Sequence, residues 1–137
     1  MKKHFTAIAY VVSKIDRQYK IWGKVRKHNK RGRKLGFPTA NINLTRNIPE
    51  GIYISSTKIG KKKYPALTFI GAAKTFNEKK FHAEIYILDF NENIYGKWIS
   101  VELIKKIRRN IKFDLTEQLI EQMKEDEQLA REYFRLI

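Results

Sequence analysis

A hydroxyl and a carboxamide stand two positions apart in the segment Pro38-Thr39-Ala40-Asn41. Side chains with this spacing point to the same face of an extended segment. The side-chain oxygens of Thr39 and Asn41 are hard, neutral ligands that suit Mg²⁺, an ion that usually completes its shell with water and substrate phosphates. The pair equally suits a plain strand entry, in which threonine is a β-former and asparagine satisfies a turn. Spacing alone leaves both interpretations open.

The segment that leads to this pair, Gly23–Asn41, is rich in lysine, arginine and glycine. Gly23, Gly32 and Gly36 would let backbone N–H groups approach phosphate oxygens or form a concave nest. The chain has no P-loop sequence and no G-x-G-x-x-G sequence. Hairpin turns explain these glycines as well as a phosphate-binding loop does.

Glu84 is the third candidate for chemistry, because it lies within the strand-like pattern Phe81–Phe90 among aromatic and aliphatic residues. A partly desolvated carboxylate holds a proton more tightly and suits general-base work. The alternative is an exposed strand acid paired with a lysine. The three histidines, His4, His28 and His82, lack metal-ligand spacing.

The elements that must position these residues are strands followed by one helix. Strand patterns are predicted over Phe5–Val12, Ile21–Arg26, Ala40–Leu44, Ile52–Ile59, Tyr64–Gly71, Phe81–Phe90 and Ile94–Ile107, with a hairpin connection over Gly60–Lys63. An amphipathic helix follows from about Leu115, capped by Asp114 or Thr116. We predict one domain over residues 1–137, with residues 1–20 as an extension that adds a strand. About six strands and a helix indicate an antiparallel sheet closed into a barrel with the helix packed on it.

The charge balance is 29 Lys and Arg against 14 Asp and Glu, a net charge of +15. This balance attracts polyanions such as nucleic acid, anionic lipid or nucleotide phosphates, although a lysine-rich coding bias would produce the same number. The chain has no cysteine, which excludes disulfides and a cysteine nucleophile. It has no run of eighteen apolar residues and no signal-peptide pattern, so we expect a cytoplasmic protein without membrane contact.

Four ordered blocks, spread from about Trp22 to Leu136, resemble the riboflavin kinase family, in particular the kinase module of bacterial bifunctional flavin-nucleotide synthetases. The blocks are Gly23-Lys24-Val25; Gly32-Arg33-Lys34-Leu35-Gly36-Phe37-Pro38-Thr39-Ala40-Asn41; Glu84 with Leu88-Asp89-Phe90 and Tyr95-Gly96; and Ile107-Arg108, Lys112-Phe113, Leu119, Gln122, Asp126 and Ala130-Arg131. The match therefore covers most of the chain, and it includes all three candidates for chemistry.

The resemblance implies a six-stranded antiparallel Greek-key barrel with a C-terminal helix. It implies transfer of the γ-phosphate of ATP to the ribityl 5′-hydroxyl of riboflavin, with Mg²⁺ on Thr39 and Asn41 and Glu84 as the base. The nucleotide- and flavin-binding positions it implies are Gly23, Gly32, Arg33, Gly36, Phe37, Pro38, Thr39, Asn41, Tyr95, Arg108 and Phe113. We expect a stand-alone, monomeric module that takes small-molecule substrates and forms FMN but not FAD.

The chain departs from the family pattern at several positions. His28 replaces a glycine, Asn110 replaces an acid, and Phe69, Ala73 and Lys74 replace an asparagine, an arginine and a proline. These departures motivate one alternative, a non-catalytic sensor of flavin or FMN. A second alternative is a basic RNA-binding barrel, motivated by the charge. Against it, the aromatic residues are not clustered on one strand pair as a stacking platform requires.

Overall fold

The computed structural model describes residues 19–26, 36, 39–75 and 78–136. Its elements are β1 (Tyr19–Lys24), β2 (Ala40–Asn43), β3 (Gly51–Ile59), β4 (Lys62–Thr75), β5 (Glu78–Ile87), β6 (Trp98–Arg108) and the helix α1 (Thr116–Phe134). The strand predicted over Phe5–Val12 lies outside the described residues, as does nearly all of the predicted extension.

The six strands form one sheet in the order β1-β6-β3-β4-β5-β2. Every neighbouring pair is antiparallel. The two edge strands approach each other just beyond β1, where the Arg26 N–H donates to the Asn41 carbonyl at 2.8 Å. This bridge nearly closes the sheet into a barrel. The predicted fold class, a six-stranded antiparallel barrel with one C-terminal helix, is confirmed.

Alternation along the strands determines which side chains fill the barrel. In β1, Ile21 is buried whereas Trp22 and Lys24 are exposed, as the period-two pattern predicts. The interior is mainly aliphatic, and it also holds a hydrogen bond of 2.8 Å between the hydroxyls of Ser55 and Thr68. The largest side chains that are fully buried there are Ile42, Ile48, Ile70, Ile85, Ile99, Leu103 and Val101.

The strand bounds differ from the predicted ones mainly where charged residues continue a ladder. The predicted connection Gly60–Lys63 shrinks to Gly60 and Lys61, because Lys62 and Lys63 already pair with Ile59 and Lys58. An exposed lysine can extend a strand at no burial cost. Conversely, β6 begins only at Trp98, since the preceding chain forms a turn in which Gly96 has φ 78°.

Helix α1 covers one part of the outer sheet face. Ala130, fully buried on the helix, packs with Ile52, Ile54, Leu67 and Leu88 of the barrel. The predicted caps were wrong: the N-cap is Leu115, with an extended backbone and no side-chain hydrogen bond. Asp114 stands one residue too early and Thr116 is already the first helical residue. The described residues contain no helix with both the length and the apolar character that a membrane span requires.

Candidate active site

The register of β2 against β5 brings two predicted site residues together. Asn41 lies directly opposite Glu84 in this antiparallel pair. The flanking residues Ala40, Ile42 and Ile85 belong to the barrel core, so Asn41 and Glu84 project from the other face of the sheet. Cross-strand partners on one face have Cβ atoms about 5 Å apart. The sequence predicted each residue separately, and strand pairing makes them neighbours.

The amide oxygen of Asn41 is buried and has no hydrogen-bond partner among the described residues. Nearly all buried polar atoms in folded proteins have a partner, so an orphaned oxygen requires an explanation. A carboxamide oxygen is a suitable ligand for Mg²⁺, as is the hydroxyl of the half-buried Thr39 two positions earlier. The residues present therefore fit the ion that the resemblance implies.

Glu84 is accessible, with 29% of its side chain exposed, and one carboxylate oxygen lies 3.7 Å from Nε2 of His82. Phe69 of β4 lies directly opposite Glu84, on the side of β5 away from Asn41. The ring of Phe69 also lies 6.1 Å from the His82 ring, centroid to centroid. Asn41, Glu84 and Phe69 thus form a row across three strands.

Two neighbours of Glu84 are not among the residues predicted for the site. His82 lacks metal-ligand spacing, yet it stands two positions before Glu84 on the same face of β5. Phe69 was noted only as a departure from the family pattern. The alternation of β5 could have indicated His82, whereas the position of Phe69 depends on the β4–β5 register.

A cavity of about 260 Å³ opens on the core side of the same strands. Its wall includes Thr39 and Tyr95, two of the predicted binding residues, and the aliphatic side chains of Ile85 and Ile87. The polar part of the wall comes from the segment Asn91–Tyr95, which connects β5 and β6. Thr39, the residue before β2, lines this cavity, whereas the Asn41–Glu84 pair projects from the other face of the sheet.

Two of the predicted glycines have definite local roles. A Cβ atom on Gly23 would collide with the Ile42 side chain, so this glycine is required by the contact between β1 and β2. Gly36 has φ 88°, a conformation that side-chain-bearing residues rarely adopt, and has open space around it. The other predicted loop residues, Gly32, Arg33, Phe37 and Pro38, lie outside the described residues, as does His28.

Two of the implied nucleotide- and flavin-binding residues, Arg108 and Phe113, lie near the junction of β6 and α1. Arg108 donates from Nε and Nη2 to the two carboxylate oxygens of Asp126, at 2.8 and 2.7 Å. Its guanidinium is thus held by the helix, and contact with a flavin ring stays a prediction. The Asn110 amide donates to the carbonyl of Ile70 at 3.2 Å. Phe113 is half-buried just before the helix.

Further contacts hold α1 against the barrel. Arg131 donates to both carboxylate oxygens of Asp89, at 3.1 and 2.7 Å. Tyr86 donates its hydroxyl to Glu127 at 2.7 Å, and burial together with this bond raises the pKa of Tyr86. These contacts join blocks of the family pattern that are distant in sequence.

Comparisons with known proteins match one family over most of the chain. The family model for riboflavin kinase matches residues 15–134. A bifunctional riboflavin kinase/FMN adenylyltransferase of Buchnera aphidicola is 38% identical over 128 residues, which are 90% of this chain and 41% of that protein. The chain thus spans about two fifths of the length of this relative.

Two solved structures share the fold. A protein of Streptococcus pneumoniae described as a macrolide-efflux protein has 37% identity and a TM-score of 0.76, over 82% of this chain and 38% of that one. The shared region is a minor part of that protein, so its described function does not bear on this region. Riboflavin kinase from Trypanosoma brucei has 24% identity and a TM-score of 0.61, over 86% and 80% of the two chains. By its family match, its barrel and the arrangement of its motif residues, this chain belongs to the riboflavin kinase family.

Proposed function

We propose that the protein transfers the γ-phosphate of ATP to the ribityl 5′-hydroxyl of riboflavin and forms FMN. The observation that carries the proposal is the pairing of Asn41 with Glu84 across β2 and β5. An unsatisfied ligand oxygen and an accessible carboxylate then lie side by side on one sheet face. Phosphoryl transfer needs positioning, charge neutralisation and one base, and little covalent chemistry from the protein.

In this mechanism Thr39 and Asn41 would hold Mg²⁺ through their side-chain oxygens. The ion supplies charge neutralisation on the phosphates when it is bound. Glu84 accepts the proton of the 5′-hydroxyl while that oxygen bonds to the γ-phosphorus. The bond between the γ-phosphorus and the β–γ bridging oxygen breaks, and ADP leaves with the electron pair.

The cavity beside Thr39 is suited to the nucleoside part of ATP. Its aliphatic wall of Ile85 and Ile87 can contact a planar base, and the segment Asn91–Tyr95 provides polar groups around it. Sites for small molecules commonly combine an apolar wall with a few polar groups. Because Thr39 lines the cavity, a base bound there would bring the phosphates near the proposed Mg²⁺ ligand Thr39.

The test is the formation of FMN from riboflavin by the purified protein with Mg²⁺ and each nucleoside triphosphate in turn. Glu84→Gln should lower kcat by roughly 10²- to 10⁴-fold, the usual contribution of a general base. Glu102→Gln is a matched control, because Glu102 is also a strand acid, about one third exposed, with a cation at 3.8 Å. We expect the control to keep wild-type activity.

Two outcomes would contradict the proposal. One is the absence of FMN with every nucleoside triphosphate; tight flavin binding in the same samples would then indicate the sensor alternative. The other is full activity of Glu84→Gln, which would remove the base from the mechanism.

A further inference from the structure

Two tryptophans stack on each other on the outer face of the β1–β6 pair. The ring centroids of Trp22 and Trp98 are 5.4 Å apart, with an interplanar angle of 22°. Trp22 is 67% exposed and Trp98 is 54% exposed. Each ring therefore covers one face of the other and leaves its second face open. An exposed apolar patch of this kind, bordered by polar residues, typically marks a binding surface.

Lysines surround the tryptophan pair along the ladder. Lys24 lies directly opposite Trp98. A row across four strands runs from Trp22 to Ser100, Lys58 and Lys63, each directly opposite the next. With neighbouring strands about 4.8 Å apart, the row spans roughly 14 Å. We call Trp22, Trp98, Lys24, Lys58 and Lys63 the tryptophan–lysine surface.

The charges of this surface are not balanced by ion pairs among the described residues. Lys24, Lys58 and Lys63 are exposed, and none of them forms an ion pair with another described residue. Lys58 and Lys63 are like charges directly opposite each other, an arrangement that destabilises a sheet. The carboxylate that β6 adds to this face, Glu102, lies 3.8 Å from the ammonium of Lys20. An anionic ligand would relieve this repulsion.

Helix α1 limits the surface to one end of the outer sheet face. It covers Ile52 and Ile54 of β3 and leaves Lys58, near the end of the same strand, exposed. The surface consists of other residues than the Asn41–Glu84 pair, since Trp22 and Trp98 lie on β1 and β6 whereas Asn41 and Glu84 lie on β2 and β5.

We propose that the tryptophan–lysine surface binds single-stranded nucleic acid. Bases stack on exposed aromatic rings, and lysines on the same surface contact the phosphates. An acidic protein segment would use the lysines but would offer no planar group to the ring faces. The prediction that aromatic residues are not clustered on one strand pair is wrong for β1 and β6, whose pairing brings Trp22 and Trp98 together. The inference does not rest on the proposed kinase activity.

The experiment measures binding of a fluorescein-labelled oligouridylate to the full chain by anisotropy, at several salt concentrations. Trp22→Ala or Trp98→Ala should weaken binding about fivefold to a hundredfold, the effect of losing one stacked base. Trp22→Phe and Trp98→Phe should keep most of the affinity. The double variant Lys58→Gln/Lys63→Gln should reduce the salt slope by about 1.4.

Lys124→Gln is the matched charge control, because it removes one exposed lysine on α1, away from the surface. It should leave both the affinity and the response to the tryptophan changes as in wild type. The proposal is overturned if the alanine variants bind as wild type does, or if polyglutamate displaces the oligouridylate as well as unlabelled oligouridylate does. If the alanine variants do not fold, the double variant Lys58→Gln/Lys63→Gln decides the question, and an unchanged salt slope overturns the proposal.

Discussion

The ion pair between Arg108 and Asp126 connects β6 with α1, and its loss should strongly destabilise the protein. The carboxylate accepts from Nε at 2.8 Å and from Nη2 at 2.7 Å. The Asp126 side chain is 5% exposed and that of Arg108 is 17% exposed. Asp126→Ala would leave a guanidinium in a largely buried place without its counter-charge.

Removal of one partner of a buried ion pair typically costs about 3–5 kcal/mol. Arg108 keeps some exposure and a bond of 3.1 Å to the carbonyl of Arg109, so we expect about 3 kcal/mol. With a urea slope of about 2 kcal/mol/M, the midpoint of unfolding should fall by about 1.5 M. The helix is expected to loosen from the barrel first, because this bond joins the two.

The assay is urea unfolding without nucleotide or flavin, which separates stability from any binding role of Arg108. Glu125→Ala is a suitable control, since Glu125 is the exposed neighbour of Asp126 on the same helix and should change stability by less than about 0.5 kcal/mol. The double variant Arg108→Leu/Asp126→Leu should be far less destabilised than Asp126→Ala, because no charge stays buried. A midpoint shift for Asp126→Ala no larger than that of the control would refute this reasoning.

Three further changes test other parts of the structure. The hydrogen bond from Arg131 holds the pKa of Asp89 below its usual value of 3.8. As the pH falls, the unfolded chain therefore takes up a proton at this carboxylate before the folded protein does, so the free energy of unfolding should decrease below about pH 4. Urea titrations in acid should show a flatter pH dependence for Asp89→Asn. Thr57 has a buried hydroxyl without a partner among the described residues, so Thr57→Val should raise the free energy of unfolding by about 1 kcal/mol, and a loss would show that the hydroxyl is satisfied. Gly23→Ala should lower it by about 1–3 kcal/mol through collision with Ile42, and an unchanged urea midpoint would contradict the tight β1–β2 contact.

Local periodicity explains which parts of the fold could be predicted from the sequence. Side chains in β1 and β5 alternate between the two faces of the sheet, whatever strand lies beside them. The period-two pattern of the sequence therefore predicts which residues of these strands share the buried face with Ile21 and Ile85. The bounds were less predictable, because Lys62 and Lys63 enter β4 through ladder bonds that hydrophobicity does not reveal. The helix start depended on backbone geometry at Leu115, where no capping side chain marks the position.

The neighbours in the candidate site could not be predicted, because they depend on register between distant strands. The sequence indicates that Thr39 and Asn41 share a face, since both lie on one segment. It does not indicate that Glu84 lies opposite Asn41, or that Phe69 lies on the other side of Glu84. The tryptophan pair shows the same limit, since Trp22 and Trp98 meet only through the β1–β6 pairing.

The structure separates the motif residues by whether the protein already satisfies their polar groups. Arg108 and Asp126 satisfy each other, and Arg131 is held by Asp89, so these positions are explained by the attachment of the helix to the barrel. Asn41 differs, because its buried oxygen lacks a partner among the described residues. A group that is desolvated without compensation destabilises the fold by about 1–3 kcal/mol, and a bound ligand removes this penalty. Membership in a family motif therefore does not tell residues that attach the helix from residues that bind a ligand. Hydrogen-bond satisfaction does distinguish them, and it favours the surroundings of Asn41 as the place where a ligand binds.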